Sequence, residues 1–118
     1  MRKILVVDDE SNIRFLLRMV FELEGFKVVE AHHGAAALEL VKEEQPDLVV
    51  TDLMMPVMNG RELIERLRAD AETAGIPIVV LSANANAGVA GADAALGKPF
   101  APDALLATVR SLSRKDAA

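Results

Sequence analysis

Leu48-Val-Val-Thr51-Asp52 is a run of apolar and β-branched residues that ends in a carboxylate. An uninterrupted run of this kind is typical of a strand whose two faces are both buried. Comparable runs recur at Ile4–Val7, Val28–Val29, Ile78–Leu81 and Ala95–Leu96. The last of these runs is the weakest indication of a strand. The sequence therefore predicts five short strands in one buried sheet.

Helical patterns separate these strands. Apolar residues spaced for one face of a helix occur in four groups: Ile13, Leu16, Leu17 and Val20; Leu38 and Val41; Leu63, Ile64 and Leu67; Leu105, Val109 and Leu112. Helix boundaries are indicated by Gly25, Gly34, Pro46 and Pro102. Alternating strands and helices predict a doubly wound α/β fold with a parallel sheet, in one domain over residues 1–118. The polar end from Ser111 to Ala118 is expected to fray.

Composition excludes several classes of protein. The formal net charge of -5 argues against direct nucleic-acid binding, which needs a basic face. The chain has no cysteine, so neither a disulfide framework nor cysteine-ligated zinc is available. No apolar stretch predicts membrane insertion, and the four apolar residues before Asp8 are too few for a signal-peptide core. We expect a cytoplasmic location.

Polar residues that could carry chemistry follow the predicted strands. They are Asp8 and Asp9 after the first strand, Asp52 after the third, Ser82 after the fourth and Lys98 after the fifth. In an open parallel sheet of order 2-1-3-4-5, ligands bind beyond the carboxyl ends of the strands, at the switch between strands one and three. The three aspartates are therefore expected to converge there.

Three neighbouring carboxylates repel one another unless a cation neutralises them. Oxygen-only ligands favour a hard divalent ion, and Mg²⁺ usually combines one or two carboxylates with waters and phosphate oxygens. Phosphoryl transfer requires a nucleophile, a bound metal, a cation and a hydroxyl donor. The residues above can supply the nucleophile, the ligands for the metal, the cation and the hydroxyl. The sequence thus predicts a site for phosphoryl chemistry.

The chain resembles the receiver domains of bacterial response regulators over essentially its whole length. The resemblance is carried by five motifs: Ile4-Leu-Val-Val-Asp8-Asp9-Glu10, Pro46-Asp-Leu-Val-Val-Thr-Asp52-Leu-Met-Met-Pro56, Asn59-Gly60, Ile78-Val-Val-Leu-Ser82-Ala83 and Lys98-Pro99-Phe100. It implies the flavodoxin-like receiver fold and a role in two-component signalling. Such a protein catalyses its own phosphorylation and dephosphorylation and is not otherwise an enzyme.

The resemblance also implies roles for individual residues. Asp52 would be the phosphoacceptor, and a sensor histidine kinase or a histidine phosphotransfer protein would supply the phosphoryl group. Asp8, Asp9, Asp52 and the backbone carbonyl of Met54 would bind Mg²⁺, and Lys98 and Ser82 would contact the phosphoryl oxygens. Phosphorylation would change the affinity for a downstream protein partner. The Lys98-Pro99 bond is expected to be cis, an isomer that is accessible mainly to X-Pro bonds.

Each residue also has a simpler interpretation. Asp8, Asp9 and Glu10 could cap the first helix, Asp52 and Ser82 could be turn and strand-end residues, and Lys98 could be a solvated surface lysine. The joint pattern at matching strand ends favours the phosphoryl site. His32 and His33 are expected at the surface rather than in a metal pair, since adjacent strand residues point to opposite faces.

Two features depart from the family. The position three residues before Lys98, usually aromatic, is Ala95, and the chain contains no tyrosine. The segment between Ser82 and Gly91 is shorter than usual by roughly six residues, or about 9 Å of helix. A shortened or absent fourth helix is therefore expected there, and a partner or a second copy of the chain could cover that region as a homodimer.

Three other functions are alternatives to the phosphorylation switch. A degenerate receiver that acts as a phosphorylation-independent interaction module is favoured by Ala95 and by the short fourth segment. An aspartyl phosphatase would need a second aspartate two residues after the nucleophile, where Met54 stands. A flavin protein of the same topology would lack a tyrosine or tryptophan to stack on the flavin. The intact set of polar residues favours an active receiver.

Overall fold

The computed structural model describes residues 2–54, 58–83 and 89–117, with side chains through Leu112. Strands and helices alternate over most of this length. They are β1 (Lys3–Val7), α1 (Ser11–Leu23), β2 (Lys27–Ala31), α2 (Gly34–Glu44), β3 (Leu48–Asp52), α3 (Gly60–Ala69), β4 (Ile78–Ser82), β5 (Ala94–Gly97) and α4 (Pro102–Ala117). All five predicted strands are present, and α4 is the helix predicted to begin at Pro102.

The strands form one parallel sheet in the order β2-β1-β3-β4-β5. This is the doubly wound order that was expected, with the switch between β1 and β3. The register decides what meets at the carboxyl edge. Val7 lies opposite Thr51, so Asp8 and Asp52 come next on adjacent strands. Ser82 lies opposite Gly97, so Lys98 follows immediately beyond the pair.

Both faces of the sheet are covered, as the uninterrupted apolar strands predict. On one face, Val6, Val50 and Leu81 pack with the buried residues of α1 and α4. On the other face, Leu5 and Val80 pack with the buried residues of α2 and α3. Removing apolar surface from water stabilises the fold by about 25 cal/mol per Å². This burial on both faces is the main contribution that holds the sheet in place.

The first helix departs in part from its predicted pattern. Leu17 and Phe21 are fully buried, whereas Leu16, predicted on the buried face, is 41% exposed. Positions i and i+4 lie on the same face of a helix, so the buried stripe runs through Leu17 and Phe21. Leu16 is rotated about 100° from Leu17 and falls outside that stripe. Phe21 also meets Phe26 edge to face, with ring centroids 6.0 Å apart.

The helix boundaries follow the residues that predicted them. Gly25, which follows the C-cap residue of α1, has a φ of 89°, a conformation that disfavours a side chain. Gln45, rather than a glycine, takes the left-handed conformation that ends α2 before Pro46. The expected fraying from Ser111 is wrong for the backbone, because α4 remains helical to Ala117. Arg, Lys and Ala in that stretch are favourable helix residues.

The connection between β4 and β5 is short. Its described residues, Ala83 and 89–93, contain no helix, in agreement with a reduced fourth helix. Residues 84–88, on which that prediction also falls, lie outside the described part of the chain. Arg68 ties the connection to α3, since its guanidinium donates to the carbonyl of Gly91 at 2.9 Å and to the carboxylate of Asp93 at 2.8 Å. Within the described ranges, no helix is long and apolar enough to cross a membrane.

Candidate functional site

The predicted polar residues meet at the carboxyl edge of the sheet. Carboxylate oxygens of Asp8, Asp9 and Asp52 all lie within 4.8 Å of one another. Asp8 and Asp52 are buried, and Asp9 is exposed. The strand order and register therefore produce the cluster that the sequence predicted.

Lys98 reaches into this cluster from the end of β5. Its ammonium lies 3.2 Å from Oδ2 of Asp8 and 3.2 Å from Oδ1 of Asp52. The Lys98 side chain is 22% exposed, so it is not the solvated surface lysine of the simpler interpretation. One cation thus bridges two buried carboxylates from different strands.

The electrostatics of the site follow from burial and from this bridge. Burial raises the pKa of Asp8, with a further contribution from Asp52, and this outweighs the opposing effects of the Glu10 amide and Lys98. Burial lowers the pKa of Lys98, but attraction to Asp8 and Asp52 outweighs it and leaves that pKa above its usual value. Lys98 is therefore firmly cationic, while ionised Asp8 is costly without a further positive charge.

The loop after β1 is organised around Asp8 rather than as a helix cap. Oδ1 of Asp8 accepts a hydrogen bond from the Glu10 amide at 2.9 Å. Glu10 stands at the N-cap position of α1 but forms no side-chain capping bond. The Asp8 carbonyl accepts a bond from Arg14 at 2.6 Å. Sequence reasoning missed Arg14, because its distance from the strand end gave no signal of this contact.

The backbone around Asp52 is tightly packed. The Thr51 hydroxyl is buried and donates to the Asp52 carbonyl at 2.9 Å. The Gly60 amide donates to the Leu53 carbonyl at 2.9 Å. A Cβ at Gly60 would lie 2.5 Å from the Asp52 carbonyl oxygen, so a side chain there would displace the nearby backbone. Gly60 thus allows α3 to begin directly against the strand end that carries Asp52.

The other predicted site residues are placed as follows. Ser82 ends β4, is 8% exposed, and its carbonyl accepts the Lys98 amide at 2.8 Å. Met54 lies two residues beyond Asp52 with its side chain 76% exposed. The Lys98-Pro99 bond is cis, as the resemblance implied. Ala95 packs in part against the core on the α3 side. Residues 55–57 of the Asp52 motif lie outside the described chain.

The two histidines play no part in this cluster. His32 is exposed, as expected for a surface residue. His33 is only partly exposed and caps α2, since its Nδ1 accepts a hydrogen bond from the Ala36 amide at 3.0 Å. A histidine that accepts such a bond stabilises the start of the helix, a role additional to the surface position that was predicted.

The donor set fits a hard divalent cation. The candidate ligands are all oxygens, and opposite ligands of an octahedral Mg²⁺ are about 4.2 Å apart, twice the metal–oxygen distance. Carboxylates within 4.8 Å of one another therefore need only small movements to share one ion. A divalent charge would also relieve the cost of ionised Asp8, to which burial and Asp52 both contribute.

Comparisons with known proteins agree with this geometry. The family model described as "Response regulator receiver domain" matches residues 4–110. Response regulator MprA of Mycobacterium ulcerans is 42% identical over 119 aligned positions, which cover 96% of this chain and 50% of that protein. DNA-binding response regulator MtrA of Mycobacterium tuberculosis is 41% identical over 121 positions, covering 98% and 52%. The chain spans about half the length of these relatives.

Solved structures of the same shape include two of particular relevance. The chemotaxis response regulator CheY4 of Vibrio cholerae superposes with a TM-score of 0.86 at 31% identity, covering 95% of this chain and 98% of that one. Response regulator TrrA of Thermotoga maritima, solved in complex with Mg²⁺ and BeF, gives a TM-score of 0.87 at 34% identity, covering 95% and 99%. Each match extends over 95% of this chain.

Proposed function

Because this chain belongs to the response regulator receiver family, we propose that it is a phosphoryl-accepting switch of a two-component phosphorelay, with Asp52 as the phosphoacceptor. The observation that carries the proposal is the Lys98 ammonium, which lies 3.2 Å from both Asp8 and Asp52. Receiver domains are signalling domains, and a buried carboxylate held beside a cation and two further carboxylates suits charge-neutralised phosphoryl transfer.

In the proposed reaction, an oxygen of the Asp52 carboxylate attacks the phosphorus of a phosphohistidine. The new O–P bond forms as the N–P bond breaks, and the imidazole nitrogen leaves with its electron pair. Lys98 holds one carboxylate oxygen before transfer and, with the Ser82 hydroxyl, would contact the phosphoryl oxygens afterwards. Later attack by water on the acyl phosphate would return the carboxylate and release phosphate.

The family and the donor set together support Mg²⁺ as the metal. Asp8, Asp9, Asp52 and the Met54 carbonyl would hold it. When bound, it supplies positive charge against the oxygens of the transferring group. Asp8 and Asp9 thus serve as ligands, and Asp52 would have two roles, as a ligand and as the phosphoacceptor.

The proposed partners follow from this role. A sensor histidine kinase or a histidine phosphotransfer protein would supply the phosphoryl group, and phosphorylation would bias the protein toward a form with a different affinity for a downstream protein. The charge of -5 continues to argue against direct DNA binding by this chain. A cytoplasmic location, a domain extending over residues 1–118 and a homodimer through the short fourth segment remain proposals.

A phosphorylation-independent interaction module is the second candidate. It is favoured by Ala95, which stands where the family usually has an aromatic residue and packs in part against the core. Such a module would use the same fold without turnover at Asp52. The retained contacts between Lys98 and the two buried carboxylates favour the phosphorylation switch instead.

Intact-mass spectrometry distinguishes the two functions. The chain is incubated with Mg²⁺ and a small-molecule acyl phosphate, alongside Asp52→Asn as a variant of matched size. One phosphoryl adduct on the wild type alone would support the switch. An unmodified wild type, with Mg²⁺ binding established by titration, would support the interaction module.

A further inference from the structure

Arg14 connects the first helix to the acidic loop. Its guanidinium donates from Nη1 to the Asp8 carbonyl at 2.6 Å and from Nε to Glu30 at 3.2 Å. The Arg14 side chain is 18% exposed, so these contacts are sheltered from competing water. A guanidinium can form two such bonds at once because its donors project in a fixed plane.

The contact with the Asp8 carbonyl fixes more than one residue. That carbonyl and the Asp9 amide belong to the same planar peptide group, so Arg14 sets the orientation of the link between two candidate metal ligands. Asp8 is held at two further points, because its amide donates to Ala31 at 3.1 Å and its Oδ1 accepts from Glu10 at 2.9 Å. Oδ2 then remains directed toward Lys98 at 3.2 Å.

Arg14 is itself held in place from β2. Glu30 accepts from Arg14 through Oε1 and from Arg18 through Oε2, at 3.2 Å and 2.7 Å. Arg18 therefore shares the same carboxylate but bonds to the Val28 carbonyl at 3.4 Å rather than to the acidic loop. The two arginines are neighbours on α1 with the same charge, and both pair with Glu30. Arg18 pairs in addition with Glu22 at 3.1 Å, whereas Arg14 bonds to the Asp8 carbonyl.

We propose that Arg14 is a positioning residue that preorganises Asp8 and Asp9 for Mg²⁺. The proposal rests on the proposed function, since it assumes that this cluster binds the ion. Partners that orient metal ligands typically contribute roughly 10- to 100-fold to metal affinity. Arg14 acts through the peptide backbone rather than on a ligating atom, so an effect of about tenfold, at the lower end of that range, is expected.

The sign of the effect separates positioning from simple charge. Removing a cation near an acidic site should by itself strengthen the binding of Mg²⁺, because one repulsive charge is lost. Removing the contact that positions Asp8 and Asp9 should weaken it. A loss of affinity in Arg14→Gln therefore cannot come from the change of charge.

The test is an amide NMR titration of the metal-free chain with MgCl₂. Arg14→Gln is expected to bind Mg²⁺ about tenfold more weakly than the wild type. Arg18→Gln, the matched control, should bind as tightly as the wild type or slightly tighter. Arg14→Lys, which keeps the charge and a donor group without the planar geometry of the guanidinium, should recover part of the loss. Thermal unfolding of each variant without metal shows whether both glutamine variants lose comparable stability.

Two results overturn the positioning role. Arg14→Gln could bind Mg²⁺ as tightly as the wild type, or Arg18→Gln could bind it as weakly as Arg14→Gln. A wild type whose Asp8 and Asp9 amides do not respond to Mg²⁺ would instead overturn the metal site of the proposed function. The wild-type titration therefore separates failure of the site from failure of the positioning role.

Discussion

Replacing Asp8 by asparagine should make the metal-free protein more stable near neutral pH. Asp8 is fully buried beside Asp52, and burial raises its pKa, so its ionised form is unfavourable in the folded state. Asparagine has nearly the same volume, and its side-chain oxygen can still accept the hydrogen bond from the Glu10 amide. The substitution therefore removes a charge with little change in packing.

The magnitude follows from the distances in the cluster. At an effective dielectric constant of about 20, the Lys98 ammonium at 3.2 Å attracts ionised Asp8 by about 5 kcal/mol. Repulsion from Asp52, within 4.8 Å, is at least about 3.5 kcal/mol, and exposed Asp9 adds a screened contribution. These interactions nearly cancel and leave the cost of burying the charge. We expect a gain of about 1–2 kcal/mol, because Lys98 keeps Asp52 as an anionic partner at 3.2 Å and is not left as an unpaired buried charge.

The gain should depend on pH in a defined direction. Because the pKa of Asp8 is raised above 3.8 on folding, the folded protein binds this proton more tightly than the unfolded chain. The stability contributed by Asp8 is present below its unfolded pKa and is lost as the pH rises through the folded pKa. The difference between variant and wild type should therefore be small in acid and reach its full size near neutral pH.

Urea unfolding followed by far-ultraviolet circular dichroism measures the difference, with EDTA present and over a series of pH values. The measurement is repeated with excess Mg²⁺, which should stabilise the wild type more than the variant and so reduce the difference. An Asp8→Asn protein less stable than the wild type near neutral pH without metal would show that the ionised Asp8 is not destabilising. So would a difference that grows as the pH falls.

Three further predictions concern other contacts. Gly91→Ala should lower the free energy of unfolding by about 2–4 kcal/mol and Gly25→Ala by about 1 kcal/mol. Both glycines have positive φ, but only at Gly91 would the new Cβ clash, 2.8 Å from a neighbouring isoleucine. Equal losses of stability in urea unfolding would contradict this. Arg68→Met should lower the free energy of unfolding by about 2–4 kcal/mol in the same assay, since the Arg68 guanidinium donates hydrogen bonds to three backbone carbonyls and one carboxylate. A loss too small to measure would argue against that role. Lys98→Met should strengthen Mg²⁺ binding severalfold in an NMR titration, because it removes a cation that competes for Asp8, and it should slow phosphorylation. Weaker Mg²⁺ binding would show that competition is not the dominant effect.

The fold and the composition of the site followed from the sequence because both depend on short-range patterns. Uninterrupted apolar runs mark strands buried on two faces, and parallel strands bring their carboxyl ends to one edge. The positions of Asp8, Asp9 and Asp52 relative to those runs were therefore enough to predict that the three aspartates converge. The family resemblance added the roles of these residues and the cis bond before Pro99.

Other features depend on side-chain directions that a linear pattern does not contain. The exposure of Leu16 depends on how α1 is rotated against the sheet. The capping bond of His33 depends on a turn geometry that histidine seldom provides. The contact from Arg14 to the Asp8 carbonyl joins a helix side chain to backbone, which hydrophobic periodicity cannot indicate.

Chemical identification of the modified residue is the decisive test of Asp52 as the phosphoacceptor. The chain is phosphorylated by a small-molecule acyl phosphate with Mg²⁺. The aspartyl phosphate formed on the protein is then reduced with borohydride, and the labelled peptide is sequenced by mass spectrometry. We expect reduction at Asp52, abolished by EDTA. Modification at another carboxylate, or equal labelling of Asp52 without a divalent ion, would contradict it.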